Sequence, residues 1–290
     1  MQKTINNIAD SISKKLDALD LQNHNSTLKK YLKPCFIGER SESSIRNISK
    51  IGGYPHLPNE FEIPEFEGQN LKFFCQINFA EIQHLDTSGI LPQKGLLVIF
   101  MYLENEEGKF TIPNFNTQQL RSFYFEDLKT TKTKEDPSLK CSTLRECIMN
   151  FKQYMDIPEP MDFHVKNDTN YIEEDLTIRW ELIPEEFEIT SPSFKLLGYP
   201  TDDAINTYPE WYCFEKNINL MTPGDKSEFY LDAEQEKDQY CLLMQIDLEG
   251  MDALNWDDEY SDFGGISIGI RKTDLINHKF NNLLFKYSIS

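Results

Sequence analysis

The sequence predicts an α+β protein: a β-rich body of two related halves, with helices at the N-terminus and one helix between the halves. Three observations lead there. A helical periodicity opens the chain, short β-type runs broken by Gly and Pro take over from Ile51, and motifs of the first half return in the same order after Ser193. On this reading residues 1–34 form a helical arm, 35–130 a first β-rich half, 131–192 a connecting segment with one helix, and 193–290 a second β-rich half. The two halves are expected to pack as one globular unit.

Each element has a local reason. Ile5, Ile8, Ile12, Leu16 and Leu19 recur at three- and four-residue spacing, which describes an amphipathic helix. A short helix follows from Ser26 to Leu32, opened by a capping Ser or Thr and closed by Pro34. Leu71 to Ala80 reads as a strand, with Phe73, Cys75, Ile77 and Phe79 on one face and Phe74, Gln76 and Asn78 on the other. Leu96 to Leu103 is apolar on both faces and belongs in the middle of a covered sheet, with Arg121 to Glu126 as a neighbouring strand. Thr143-Leu-Arg-Glu146 matches a capping box, and Leu144, Cys147, Phe151 and Tyr154 follow at helical spacing, so a helix is expected there. Thr130 to Lys140 and Val165 to Asp175 are polar and charged and read as surface loops.

The internal repeat carries the two-halves reading. Ile51-Gly-Gly-Tyr-Pro55 returns as Leu196-Leu-Gly-Tyr-Pro200, and Phe73-Phe-Cys-Gln-Ile-Asn78 returns as Leu242-Leu-Met-Gln-Ile-Asp247. The spacing from Gln76 to Gly95 equals that from Gln245 to Gly264, and each of those glycines precedes a β-run. A duplication with an insertion in the second copy, holding Tyr208, Trp211, Tyr212 and Phe214, accounts for this register.

Composition excludes several function classes. With 48 Asp and Glu against 29 Lys and Arg, the formal net charge is -19, which repels phosphate backbones and anionic lipid and favours a basic protein or cations as partner. No run of the length a membrane span requires is present, and the N-terminus lacks the apolar core of a signal peptide, so a cytoplasmic protein is expected. Six scattered cysteines, without a Cys-x-x-Cys pair, read as reduced thiols. His24, His56, His84, His164 and His278 fall in no catalytic signature, and Gly52-Gly53 and Gly264-Gly265 make no phosphate loop.

The candidate binding residues are polar side chains on strands. Gln76 and Asn78 share a face in the first copy, as Gln245 and Asp247 do in the second, and buried amides and carboxylates must either bond to one another or line a wet cleft. The expectation is a polar groove between the halves, and Trp256 is a further candidate binding residue. Trp256 is followed by Asp257, Asp258, Glu259 and Asp262, which supply oxygen ligands without the order of a calcium loop.

Taken together, Ser49-Lys-Ile-Gly-Gly-Tyr-Pro-His-Leu-Pro58, the Phe-Cys-Gln-Ile-Asn-Phe-Ala-Glu81 strand, Leu91-Pro-Gln-Lys-Gly-Leu-Leu97, Leu197-Gly-Tyr-Pro200, Leu243-Met-Gln-Ile-Asp247, Trp256 and Gly264-Gly265 make the chain resemble the YwqG-like family of uncharacterised bacterial proteins. It departs from that pattern at Phe61-Glu-Ile-Pro64, where such proteins often show a Trp-Pro step. The resemblance implies a mixed, β-rich fold with similar halves, no established activity, and relatives placed in bacterial toxin and immunity gene neighbourhoods.

The expected function is therefore a non-enzymatic protein-binding module of the immunity or antitoxin type, monomeric or weakly oligomeric, with a basic partner, no nucleic acid, no membrane and no cofactor. The alternatives are a metal-assisted hydrolase using Asp257, Asp258 and Asp262, and a small-metabolite binder using the groove.

Overall fold

The computed structural model describes residues 10, 13–14, 17, 25–41, 48–86, 89–102, 117–159, 162–165, 167–168, 193–201, 204–218, 226–248, 250–253 and 265–287. Of the helix expected from Ile5 to Leu19, only Asp10, Ser13, Lys14 and Asp17 are described, all helical; its other residues lie outside the described ones. The second helix is present as α1 (Asn25–Tyr31).

Among the described residues fourteen strands follow: β1 (Lys33–Arg40), β2 (Lys50–Ile51), β3 (His56–Pro58), β4 (Glu65–Phe66), β5 (Gln69–Asn70), β6 (Lys72–Asn78), β7 (Leu96–Met101), β8 (Leu120–Phe125), β9 (Thr131–Thr133), β10 (Cys147–Asp156), β11 (Phe194–Leu197), β12 (Tyr240–Asp247), β13 (Gly265–Arg271) and β14 (Leu284–Tyr287). Helices α2 (Ala204–Glu215) and α3 (Lys226–Glu236) lie between β11 and β12, and α4 (Lys272–Ile276) follows β13. Among the described residues, no helix is long and apolar enough to cross a membrane.

Ten strands form one curled antiparallel sheet in the order β14-β13-β12-β11-β1-β10-β2-β6-β7-β8. The pair β1 and β10 sits at its centre, with β2-β6-β7-β8 on one side and β11-β12-β13-β14 on the other. The two flanks share details of register. Lys50 pairs with Gln76 and Gln76 with Val98; Lys195 pairs with Gln245 and Gln245 with Ser267. An irregularity falls between Phe73 and Cys75 in β6, and another between Leu242 and Met244 in β12.

Curling joins the flanks through one main core that includes Phe36, Cys75, Ile77, Ile99, Met149, Phe194, Met244 and Ile268. Cys75 Sγ lies 3.8 Å from Met244 Sδ. The loop ahead of β14 closes the curl: the Ser122 hydroxyl of β8 donates to the Phe280 carbonyl, and the Phe280 ring stacks on Phe79 at 5.5 Å. The opposite face of β6 to β8 holds a second core of Leu57, Leu71, Phe73, Leu96, Val98, Phe100 and Leu139. On β13, Trp211 of α2 covers Gly269, where an added Cβ would lie 2.6 Å from the indole. Its Nε1 donates to the Ser267 carbonyl at 3.3 Å.

Three sequence expectations change. The helix expected after Thr143 is the strand β10, because Cys147 and Met149 enter the core while Asn150 and Lys152 face solvent, a period of two. Hydrogen-bonding neighbours on both sides, β1 and β2, override the capping-box signal, and Glu146 binds Lys50 instead of capping a helix. Phe74 packs with Cys75 and Ile77, while Phe73 joins the opposite face, because the bulge shifts the alternation by one residue. Within the stretch expected as a loop, Thr131–Thr133 pairs with His56–Pro58, and Val165 is buried.

Replacing Trp211 with Ala removes a fully buried ring and is expected to lower folding stability by about 3–5 kcal/mol in urea titrations. Gly269→Ala should cost about 1–3 kcal/mol through the indole clash. Losses below about 0.5 kcal/mol for both would contradict this packing.

Candidate functional site

Two turns of related sequence organise the polar residues. The first runs Lys50-Ile-Gly-Gly-Tyr-Pro-His56 and the second Lys195-Leu-Leu-Gly-Tyr-Pro-Thr201. Each begins on a strand beside the central pair with a buried lysine, Lys50 5% and Lys195 2% exposed. Each then passes through two residues in the left-handed region, Gly52 and Gly53 at φ 62° and 76°, Leu197 and Gly198 at φ 60° and 85°. Such a pair reverses the chain sharply, and its second position is glycine in both turns.

A buried ammonium needs a carboxylate, and both come from the central strand region. Glu146, just ahead of β10, accepts from Lys50 Nζ at 2.7 Å, and Asp156, at the end of β10, accepts from Lys195 Nζ at 2.9 Å. Each carboxylate also lies against the turn's glycine: a Cβ on Gly53 would meet Glu146 Oε2 at 2.7 Å, and one on Gly198 would meet Asp156 Oδ2 at 2.4 Å. Glycine is required at these positions for space as well as for φ.

The turns are then fastened to the next strand. Gln76 Oε1 accepts from the His56 amide at 2.9 Å, and Gln245 Oε1 accepts from the Thr201 amide at 3.0 Å. Gln76 Nε2 donates to the Ile48 carbonyl at 2.6 Å and lies 3.1 Å from His56 Nδ1; Gln245 Nε2 donates to the Thr201 hydroxyl at 2.7 Å. Asn78 donates through Nδ2 to Glu81 at 2.9 Å, and Glu81 in turn accepts from the Ile48 amide at 2.7 Å. Asp247 accepts from the Gly250 amide at 2.9 Å and so caps a turn.

The expected polar groove is thus resolved into two separate clusters. Gln76 and Asn78 belong to the first and Gln245 and Asp247 lie on the other flank, while the side chains between the flanks are apolar, as the Cys75–Met244 contact shows. Trp256, Asp257, Asp258, Glu259 and Asp262 lie outside the described residues. Among the described residues, no group of three His, Cys, Asp or Glu side chains is placed to hold a metal ion.

The two clusters differ in access. The Glu146 side chain is 46% exposed, whereas that of Asp156 is 8% exposed and also accepts from the Tyr199 amide at 2.8 Å. Beside the second cluster, buried Asp162 accepts from the His164 amide, binds His164 Nδ1 at 2.8 Å and accepts from the Tyr208 hydroxyl at 3.3 Å. Lys33 stands 3.7 Å over the Tyr199 ring, and burial holds its ammonium down at about 8, with Asp162 acting the other way. Burial also raises the Tyr208 hydroxyl well above its ordinary value. In the first cluster, burial and then the Lys50 charge hold His56 below 6.5.

Sequence reasoning passed over Lys50, Lys195, Glu146 and Asp156. Their signal was available as a lysine set among apolar strand residues at the same offset ahead of Gly-Tyr-Pro in both copies. Asp162 and His164 gave no such signal, because only the fold brings Tyr208 to them.

The fold and its paired lysine turns define a β-rich protein organised around a central strand pair. Residues 49–288 match a domain of unknown function (DUF1963), and the chain belongs to that family. A search of curated proteins found no match to the chain.

Two outcomes check these clusters. Asp156→Ala strands the Lys195 ammonium and should cost about 3–5 kcal/mol in urea titrations, while Glu146→Ala, which removes a half-exposed carboxylate and so admits water to the buried Lys50 ammonium, should cost about 1–2 kcal/mol. Equal losses would contradict the difference in access. Because His56 titrates lower in the folded chain than in the unfolded one, the unfolded state takes up the proton first as pH falls below 6.5, and stability declines. His56→Asn should flatten that decline as pH falls through 6.5, and an unchanged slope would refute the assignment.

Proposed function

We propose that this chain is a non-enzymatic protein-binding module of the cytoplasm, of the immunity or antitoxin type, whose acidic surface engages a basic protein. The observation that carries this reading is the charge balance, 48 Asp and Glu against 29 Lys and Arg. A surface of that sign attracts basic proteins over a Debye length and speeds their association. The polar side chains singled out on the strands support it indirectly: Gln76, Asn78, Gln245 and Asp247 are engaged in hydrogen bonds within the fold, which leaves surface charge as the chain's most distinctive chemistry. Nuclease-type toxins, which carry basic nucleic-acid sites, are the partner class of matching charge.

The same reading includes a YwqG-like, bacterial origin and a body that arose by duplication. The duplication is supported by the flank order around β1 and β10, the Lys50–Gln76 and Lys195–Gln245 pairings, and the irregularities at matching places in β6 and β12. A metal-assisted hydrolase would draw on Asp257, Asp258 and Asp262 and remains the second reading, separable by thermal shift in millimolar Ca²⁺ or Mg²⁺.

Tagged chain expressed in its host and eluted along a salt gradient is expected to release a stoichiometric basic protein as salt rises, with affinity falling at least about tenfold between low and physiological salt. Recovery of the chain alone, or a partner whose affinity ignores salt, would contradict the proposal.

A further inference from the structure

Residues 162–165, 167 and 168 form a strap over the second flank, tied to the helices beside it. The Tyr31 hydroxyl of α1 donates to Asp168 at 2.8 Å, and Asn167 Nδ2 donates to Glu234 of α3 at 3.0 Å. Lys237 Nζ, in the 3₁₀ turn Lys237–Gln239 that follows α3, donates to the Phe163 carbonyl at 2.6 Å. Beneath the strap the Phe163 ring stacks on Tyr208 of α2 at 5.5 Å, and Val165 is buried.

His164, at the middle of the strap, carries a mismatch. A carboxylate only accepts, so Asp162 Oδ1, 2.8 Å from Nδ1, fixes the neutral imidazole with its proton on Nδ1 and a lone pair on Nε2. Nε2 is buried and has no hydrogen-bond partner among the described residues. The group it faces is a second carboxylate, Asp238 Oδ1 of the 3₁₀ turn, 3.5 Å away on a side chain 77% exposed. Lone pair therefore faces lone pair, and a buried acceptor left unmet is destabilising. A second proton reverses both terms, because Nε2 becomes a donor and the imidazolium then lies between two carboxylates.

The other titratable groups around the ring come from three elements. The Tyr208 hydroxyl is 3.2 Å from Nδ1 and shares Asp162, and burial raises it so that it keeps its proton. The Tyr199 ring stands edge-on at 5.6 Å with Lys33 of β1 over it, and burial holds that ammonium down at about 8. Lys237 is engaged with the Phe163 carbonyl. Lys33 acts on the strap through Asp162 and not through Asp238, which separates its effect from that of His164.

We propose that the strap is closed by a proton: uptake from solvent at His164 Nε2 binds it to Asp238 and draws the strap onto the turn after α3, and loss of that proton loosens it. Because the strap covers Tyr208 and Asp162, its release opens the sealed flank to water. The device is independent of the protein-binding reading.

The test is native-state hydrogen exchange of the full chain at about pH 5 and about pH 8, on either side of ordinary histidine titration, read as protection factors so that the intrinsic pH dependence of exchange is divided out. The Val165 and Asp168 amides donate to the Asp162 and Val165 carbonyls and report the strap, while β12 amides report global stability, including the contribution of His56. Relative to β12, strap protection should be at least about fivefold higher at the acid pH, the worth of one charge-assisted bond at a partly exposed site. Asp238→Ala removes only an exposed side chain and should bring that gain below about twofold. His164→Gln should abolish it, with β12 protection establishing that the variant folds; the exposed Asp238 variant carries the test if it does not. Strap protection that ignores pH or rises with it would overturn the proposal, and so would a gain that survives in Asp238→Ala, which would assign the effect to Lys33 or another group.

Discussion

A lysine ammonium held inside a sheet is the constraint on which the rest of this structure depends. Lys50 and Lys195 are each almost fully buried, and a charge so placed is tolerated only with a carboxylate in contact. Glu146 and Asp156 meet that need from the two ends of the central strand, but each can come close only where the turn carries no Cβ. The left-handed backbone at Gly53 and Gly198 then turns the chain back so that the next free amide, on His56 or Thr201, meets a glutamine on the following strand. Ion pair, glycine, turn and glutamine are thus linked. A slip of one residue in β2 or β11 would turn the lysine toward the apolar interior and break every link at once.

Equivalent chemistry in the two flanks has different surroundings. Around Lys195 the chain has added cover: the Tyr199 hydroxyl binds the Tyr31 carbonyl of α1, and Asp162 gathers His164 and Tyr208. The helices α2 and α3 fall in the same flank, where Trp211 replaces a side chain at Gly269. Around Lys50 the cover is a short β3–β9 pair, and Glu146 stays half open beside a depression. One flank thus seals its ion pair from water, and the other leaves the carboxylate of its pair exposed.

Much of the sheet was legible because strand signals are local. The apolar run at Leu96, the Gln-Ile strands and the Gly-Tyr-Pro turns all mark real elements at their expected places. The failures share a cause in tertiary context. Thr143 to Tyr154 carries helix-compatible spacing and a capping box, yet a place between β1 and β2 offers every backbone group a partner, and the strand wins. A bulge in β6 moves Phe74 to the other face, which no alternation rule predicts. The glutamines were found, but not what they hold: their partners are backbone amides of turns rather than one another, and only the curl of the sheet shows that apolar side chains fill the space between the flanks. Glu146 was legible as a polar residue and misassigned to a cap, because its lysine is distant in sequence.

Native-state amide hydrogen exchange at His56 and Thr201 tests the central claim most directly. These amides sit in turns at the edge of the sheet and would exchange rapidly if the turns were ordinary surface loops. If the lysine-centred turns fix the register of both flanks, both amides should be protected to the level of the β6 and β12 core amides and exchange only on global unfolding. Rapid exchange at either position, with β6 and β12 still protected, would show that the turns are fastened to the sheet rather than holding it, and would contradict the account.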